Sequence, residues 1–176
     1  MKLFTTLVAI SLFGCSAIAE STNQAAECHF DFHTLAPCVQ GDYKVSIHAS
    51  PLAADEIQLQ ALQVDYHGKQ QLLSISPDTS LLEGDKGIIL FEDINFDGSP
   101  DIAISTSFGL ANQYMDYWVF DKVSDRFIKV GNHARFTLHP ADKTLSNTVK
   151  VDAASYQNQV FTWQGDKLVK KQSQKK

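Results

Sequence analysis

Short strand-like segments separated by turn signals run through most of this 176-residue sequence, and they restrict its fold more than any other feature. Residues 43–48 alternate apolar and polar side chains, and residues 87–91 form a continuous apolar run. No window of about eleven residues has a convincing helical period; residues 52–62 come closest, and their alternation favours a strand as much as a helix. We therefore predict an all-β protein, a mainly antiparallel sandwich or barrel-like sheet.

Two local patterns predict how neighbouring strands join. The apolar positions of residues 57–66 change from one face to the other midway, which indicates a β-bulge. His67, Gly68 and Lys69 predict a hairpin turn leading into residues 71–76, and residues 164–167 predict a final hairpin.

The N-terminus resembles a secretory signal. Lys2 precedes an apolar stretch that is too short to span a bilayer, and residues 17–19 give the small-x-small pattern of a cleavage site. We predict a signal peptide at residues 1–19. The alternative is a lipobox ending at Cys15, which would be acylated and would tether the protein to the outer membrane. In both cases the protein leaves the cytoplasm, and we expect it in the periplasm.

Cys28 and Cys38 remain as an even pair after removal or acylation of Cys15. In an oxidising compartment such a pair predicts a disulfide, and two free thiols are the alternative. Cys28, His29 and His33 lack a fourth ligand with metal-finger spacing, so we do not predict a zinc site.

Charge and length limit the partners and the number of domains. The formal net charge is −5, and it becomes −6 when Lys2 is removed with the signal. There is no basic stripe, so nucleic acid is not an expected partner, and the membrane is expected only through a lipid at Cys15. We expect a leader with a disulfide loop at residues 20–41, one β domain at 42–171 and a basic tail at 172–176.

One motif carries recognisable chemistry. Residues 93–101 match D-x-N-x-D-G-x-x-D, and this spacing directs hard oxygen ligands to one point, with Gly98 allowing the sharp turn. Ile104 stands where an EF-hand has its bidentate Glu, and both flanks have strand patterns. We therefore predict a strand-flanked loop that binds Ca²⁺ with the weak affinity of extracellular modules, on the order of 10⁻⁴–10⁻³ M. The predicted ligands are Asp93, Asn95, Asp97, Ser99 and Asp101.

The alternative is a hairpin turn that carries solubilising acids. Repulsion counts against it, because two carboxylates about 4 Å apart repel by roughly 4 kcal/mol at an effective dielectric constant of about 20. A bound cation would remove this repulsion.

The sequence contains no recognisable catalytic set. It has no G-x-S-x-G motif, and its six histidines are scattered without a nucleophile in a known context. We therefore predict a binding protein and not an enzyme.

Three segments together resemble a family of calcium-dependent periplasmic proteins that inhibit peptidoglycan-cleaving, lysozyme-like enzymes. They are LFEDINFDGSPDIAIS, NQYMDYWVFDKVSDRFIKV and YQNQVFTWQGDKLV, and the resemblance covers about residues 57–170. Some members are immunity proteins against effectors of bacterial-killing type IV secretion systems. The fold is similar to that of inhibitors of invertebrate-type lysozyme.

The resemblance implies that the calcium loop orders a neighbouring segment that enters the substrate cleft of the target enzyme. Residues 107–114 correspond to this segment, with Tyr114 as the expected aromatic anchor; the alternative is that Tyr114 packs as part of the following strand. The implied partner-binding residues are Ser107, Phe108, Gly109, Asn112, Gln113 and Tyr114.

The expected function is therefore inhibition of a lysozyme-like peptidoglycan hydrolase by loop insertion. The alternative is a calcium-stabilised extracytoplasmic β module for surface adhesion or for binding glycans or proteins.

Overall fold

The computed structural model describes residues 26–108 and 112–171. Several predictions fall outside these residues: the signal peptide at 1–19 with Cys15, residues 20–25 of the leader, Gly109 and the basic tail at 172–176.

The described residues form fourteen strands and no helix, which confirms the all-β prediction. No helix in this part of the chain is long and apolar enough to cross a bilayer. The first seven strands are β1 (Ala26–Asp31), β2 (Cys38–Gln40), β3 (Tyr43–Ala53), β4 (Glu56–Tyr66), β5 (Lys69–Ser74), β6 (Ser80–Leu82) and β7 (Lys86–Glu92). The others are β8 (Asp101–Ser105), β9 (Tyr114–Asp121), β10 (Arg126–Ala134), β11 (Thr137–His139), β12 (Thr144–Lys150), β13 (Tyr156–Gln164) and β14 (Lys167–Lys170).

The strands form three antiparallel sheets. The central sheet has the order β1-β7-β8-β9-β10. The front sheet has the order β2-β3-β4-β5, with β6 paired to β4, and the rear sheet has the order β11-β12-β13-β14.

The central sheet is covered on both faces, because successive side chains of a strand point to opposite faces. In β7, Ile89 and Phe91 belong to the cluster shared with the front sheet, whereas Ile88 and Leu90 belong to the cluster shared with the rear sheet. This two-sided burial accounts for the continuous apolar run in the sequence.

Contacts between strand edges close the front and central sheets against each other. On one side, the Cys28–Cys38 disulfide joins β1 to β2, with 5.8 Å between the Cα atoms. On the other side, the Gln71 side chain of β5 pairs with the backbone of Phe127 in β10: its Nε2 donates to the carbonyl at 2.8 Å and its Oε1 accepts from the N–H at 2.9 Å. Both pairs of sheet edges are therefore linked by single covalent or side-chain contacts and not by a continuous backbone ladder.

The ordered sheets begin earlier than we expected. Residues 26–31 and 38–40 belong to the predicted leader, yet they form β1 and β2. Phe30 of β1 is only 4% exposed because it packs over Gly87, its partner on β7. The strand-forming part of the chain thus starts at Ala26 rather than after residue 41.

The predicted irregularities of the front sheet are confirmed. The register shifts between β3 and β4 where Ala49 pairs with Leu59 and His48 with Ala61, which leaves Gln60 as the extra residue of a bulge. His67 and Gly68, both with positive φ, form the turn between β4 and β5. Two positive φ angles in a two-residue loop are typical of the type I′ hairpin turn.

A buried carboxylate joins the front sheet to the central sheet. Asp116 of β9 is fully buried, and it accepts hydrogen bonds from Ser76 Oγ at 2.7 Å, Asn132 Nδ2 at 2.9 Å and Lys129 Nζ at 3.0 Å. A buried charge is tolerated when it is paired and hydrogen-bonded in this way.

Candidate functional site

The loop at residues 93–100 connects β7 to β8, so strands flank it as predicted. Its backbone turns sharply because two residues adopt positive φ: Phe96 at 59° and Gly98 at 86°. Phe96 is the more unusual of the two, since residues other than glycine, asparagine and aspartate seldom adopt a positive φ.

The side chains of the first half of the loop hold its own backbone amides. Asp93 accepts hydrogen bonds from the N–H groups of Asp97 at 3.0 Å and Gly98 at 2.8 Å. Asn95 Oδ1 accepts from Asp97 N at 3.1 Å, and Asp97 Oδ1 accepts from Ser99 N at 2.8 Å. These bonds fix the loop in a compact coil.

Asp101 lies at the base of the loop and is 2% exposed. Its Oδ1 accepts from Phe120 N of β9 at 2.8 Å, and its Oδ2 accepts from Ile94 N at 2.9 Å and Asn95 N at 3.3 Å. Burial raises the pKa of Asp101 to about 8; the backbone hydrogen bonds oppose the shift, and the charges of Asp93 and Asp97 add to it. The charges of Asp93 and Asp97 therefore act on the buried Asp101 carboxyl.

Two side chains from other strands contact the loop. Lys122, next to the end of β9, donates to the Asp97 carbonyl at 2.6 Å, and its Nζ lies 3.4 Å from Asp97 Oδ1. Trp163 of β13 donates its indole N–H to the Ile94 carbonyl at 2.7 Å. The loop thus links the central sheet to the rear sheet.

The chemistry of the predicted ligands suits calcium, but their arrangement does not gather them around one point. Calcium prefers carboxylate, amide and carbonyl oxygens, which this loop supplies. Within residues 26–108 and 112–171, however, no three Asp, Glu, His or Cys side chains converge closely enough to hold a metal ion. The two Asp93 oxygens accept one amide hydrogen bond each and keep a second lone pair, whereas Asp101 Oδ2 already accepts two. Binding would therefore require the loop to rearrange so that Asp93 and Asp97 turn toward Asp101. Calcium binding remains a prediction.

The residues expected to contact a partner mostly support the fold. Phe108 packs against the core and meets the Phe30 ring edge-on, with 6.3 Å between centroids. Asn112 pairs with both backbone groups of Lys150 in the rear sheet, at 2.8 and 3.1 Å. Ser107 Oγ donates to the Asn112 carbonyl at 2.9 Å and accepts from Tyr114 N at 2.8 Å.

Gln113 and Tyr114 also make contacts that support the fold. The Gln113 carbonyl accepts from Arg135 N at 2.8 Å. Tyr114 is the half-buried first residue of β9 and pairs with Ala134, as the alternative interpretation of this residue expected.

The expected link between the calcium loop and residues 107–114 is not supported by the topology. The loop enters β8 at Asp101, whereas residues 106–113 leave it after Ser105. The strand has five residues, so about 15 Å of sheet separates the loop from the start of this segment at Thr106 and Ser107. The neighbours of the loop are instead Lys122 and Trp163.

Sequence reasoning missed two arrangements that only the fold creates. His139 Nε2 and Ser146 Oγ are 2.7 Å apart on the paired strands β11 and β12. Glu92 and Arg135 line one cleft although 42 positions separate them in the sequence. Neither pair carries a motif, so local patterns could not have found them.

Comparison with known proteins gives no matching family, no significantly similar characterised protein and no significantly similar solved structure.

Proposed function

We propose that this chain is an exported, non-catalytic binding protein that takes a calcium ion in the 93–101 loop and inhibits a peptidoglycan-cleaving, lysozyme-like enzyme. The observation that carries the proposal is the placement of Asp93 and Asp97 in one compact loop above Asp101, which is almost fully buried at its base. The family resemblance of the sequence supplies the class of target.

The charge balance of the loop supports a cation. Among the described residues, Asp97 is the one of these three acids that forms an ion pair. Its partner is Lys122, whose side chain is 54% exposed. Exposed ion pairs of this kind stabilise little. A divalent ion would offset the carboxylates more strongly, and it would compensate Asp101, whose charge is expensive in a buried position.

The disulfide supports the proposed location. Cys28 and Cys38 are bonded across two sheets, and such bonds persist in oxidising compartments such as the periplasm. This agrees with the secretory signal expected at residues 1–19.

Hydrogen bonds hold both ends of residues 107–114 in place, and this supports a recognition role for the segment. Ser107 joins Asn112 to Tyr114, and Asn112 is held on the backbone of Lys150. A segment whose ends are fixed before binding loses less conformational entropy when it meets a partner.

The calcium part is tested with the mature protein by titration calorimetry and by thermal unfolding, with excess calcium and with EDTA. We expect saturable binding and a higher melting temperature with calcium. Asp93→Asn and Asp97→Asn should both weaken binding, whereas Asp142→Asn, an exposed acid in the β11–β12 turn, should not. Equal melting temperatures and no heat of binding would contradict the calcium site.

The inhibitor part is tested by a turbidity assay of cell-wall lysis with lysozymes of different classes. Tyr114→Ala should reduce affinity for the inhibited enzyme by about 2 kcal/mol if Tyr114 is an anchor. Tyr156→Ala, at a tyrosine that is 64% exposed on β13, serves as the matched control. A calcium-loaded protein that neither inhibits nor binds any of these enzymes would refute this part alone.

A further inference from the structure

An open cleft of about 590 Å³ lies between the first half of the 93–101 loop and the segment that connects β10 to the rear sheet. One side is formed by Glu92, Asp93 and Phe96, and the other by Arg135, Phe136 and Leu138. The cleft is within the usual size range of sites for small ligands or single large side chains.

Apolar side chains form much of its surface. Phe96 is half-buried, and Phe136 is 4% exposed and packs against Tyr117 with 4.9 Å between ring centroids. The backbone N–H of Phe136 also donates to the Tyr117 hydroxyl at 3.0 Å, which holds this side of the cleft in place. An occupant would therefore meet the partly exposed ring of Phe96, and the buried Phe136 fixes the opposite side.

The charged groups of the cleft leave an excess of negative charge. Glu92 Oε2 is buried and has no hydrogen-bond partner. Burial raises the pKa of the Glu92 carboxyl, and the charge of Arg135 opposes this shift. Arg135 is shared with a second acid, because its Nη2 lies 3.1 Å from Glu27 Oε2. With Glu92, Asp93 and Arg135 in its lining, the cleft carries one more acid than base, and the base is paired with a further acid outside it.

We propose that this cleft binds a cationic group, an alkylammonium or a guanidinium, carried on an apolar stem. Aromatic faces attract cations, and the Glu92 carboxylate offers the opposite charge to an occupant toward which its buried Oε2 turns. A sugar would require several neutral hydrogen-bonding side chains, and Thr137 is the one that the lining supplies. An anion would face Glu92 and Asp93 while Arg135 is held by Glu27.

The inference does not depend on calcium. Glu92, Arg135 and Phe136 are outside the predicted set of metal ligands, and only Asp93 belongs to both. The binding experiment is therefore done in EDTA, so that its result can be interpreted whether or not the 93–101 loop binds calcium. A second titration with excess calcium should show weaker cation binding, because an ion on Asp93 would reduce the negative charge.

The probes are n-pentylammonium, with n-pentanol and pentanoate as neutral and anionic controls of the same length. Binding is followed by two-dimensional NMR of the ¹⁵N-labelled protein. We expect saturable shifts at Phe96, Phe136 and Leu138 with the cation and none with the two controls. Absence of saturable shifts, or equal binding of pentanol, would overturn the proposal.

Two variants change the charge in opposite directions. Glu92→Gln should weaken binding of pentylammonium about tenfold or more, because it removes a buried charged partner. Arg135→Gln removes the positive charge and should strengthen binding of pentylammonium. This second variant tests the proposal even if the Glu92→Gln protein folds poorly. Glu83→Gln, at an exposed acid paired with His33, is the control. Unchanged affinity in both Glu92→Gln and Arg135→Gln would refute the site.

A final titration identifies the source of the cation. An acetylated and amidated peptide with a central arginine is compared with pentylammonium under the same conditions. Tighter binding of the peptide supports a basic side chain on a protein partner, and tighter binding of the free amine supports a small molecule; both results support a cationic occupant.

Discussion

At the base of the 93–101 loop, the buried carboxylate of Asp101 links protonation to stability. Burial raises its pKa to about 8 in the folded state, well above the value of about 3.9 for an unfolded chain. Between these two values the folded state binds the proton and the unfolded state does not. The contribution of Asp101 to the free energy of unfolding should therefore fall as pH rises from about 5 to about 8, by up to about 1.4 kcal/mol per pH unit, and then level off.

Urea unfolding in EDTA across this pH range checks the prediction. Histidines also titrate there, so the informative quantity is the difference between the wild type and Asp101→Asn at each pH. That difference should change steadily up to about pH 8, whereas the difference for Asp142→Asn should stay constant. A flat difference for Asp101→Asn would show that its carboxylate titrates normally. Excess calcium should reverse the trend, because the ion favours the ionised form.

Gly87 is required by a close contact and not by its backbone angles. A Cβ atom on this residue would lie 2.2 Å from Cζ of Phe30, its partner on β1. We expect Gly87→Ala to reduce the free energy of unfolding by about 1–3 kcal/mol, since the Phe30 ring is confined in the core. Phe30→Leu in the Gly87→Ala background should be much less harmful than Phe30→Leu alone. Additive effects in urea unfolding would mean that the two residues do not clash.

At the scale of strands, Gln71 joins two sheet edges that share no ladder of backbone hydrogen bonds. Its amide meets both backbone groups of Phe127, at 2.8 and 2.9 Å. Gln71→Ala leaves these partly buried groups unpaired, so we expect a loss of about 2 kcal/mol in the free energy of unfolding. Gln70→Ala, at the exposed neighbour on the same strand, should change it little. Equal effects of the two variants would mean that the edge is held by other contacts.

Sequence patterns predict the strands whose own residues carry the signal. Alternation and turn residues locate β3 to β5, a bulge within residues 57–66 and the hairpin through Gly165, and strand pairing then places the bulge at Gln60. The predicted leader at residues 20–41 overlooked β1, although its apolar Ala26, Cys28 and Phe30 alternate with polar residues as in a half-buried strand. The three-residue strands β2, β6 and β11 are too short to show a period.

At the scale of the whole molecule, the sequence does not predict which sheets pack against each other. A continuous apolar run such as residues 87–91 indicates burial on both faces, but it does not identify the two sheets that cover it. The same applies to the sites. The sequence alone locates the 93–101 motif. Strand pairing, in contrast, sets the distance from this motif to the segment that begins after Ser105, and it forms the cleft between Glu92 and Arg135.

The position of the loop between the central and rear sheets makes one of the two tryptophans a reporter for calcium. Trp163 donates its indole N–H to the Ile94 carbonyl, whereas Trp118 is 2% exposed in the core shared with the front sheet. If calcium reorganises the loop, the indole N–H signal of Trp163 should shift in ¹⁵N NMR and that of Trp118 should stay in place. The amides of Ser107, Asn112 and Tyr114 should also stay, because β8 separates them from the loop.

Each pattern of shifts has a distinct meaning, because the two tryptophans and the far segment report from different places. Shifts at Ser107, Asn112 and Tyr114 as large as those in the loop would restore the original expectation that calcium orders this segment. No shift at any site would contradict calcium binding itself. A shift confined to Trp163, the loop and Lys122 would show that calcium acts where the central and rear sheets meet, so its effect on a partner would have to pass through the surface around the 93–101 loop.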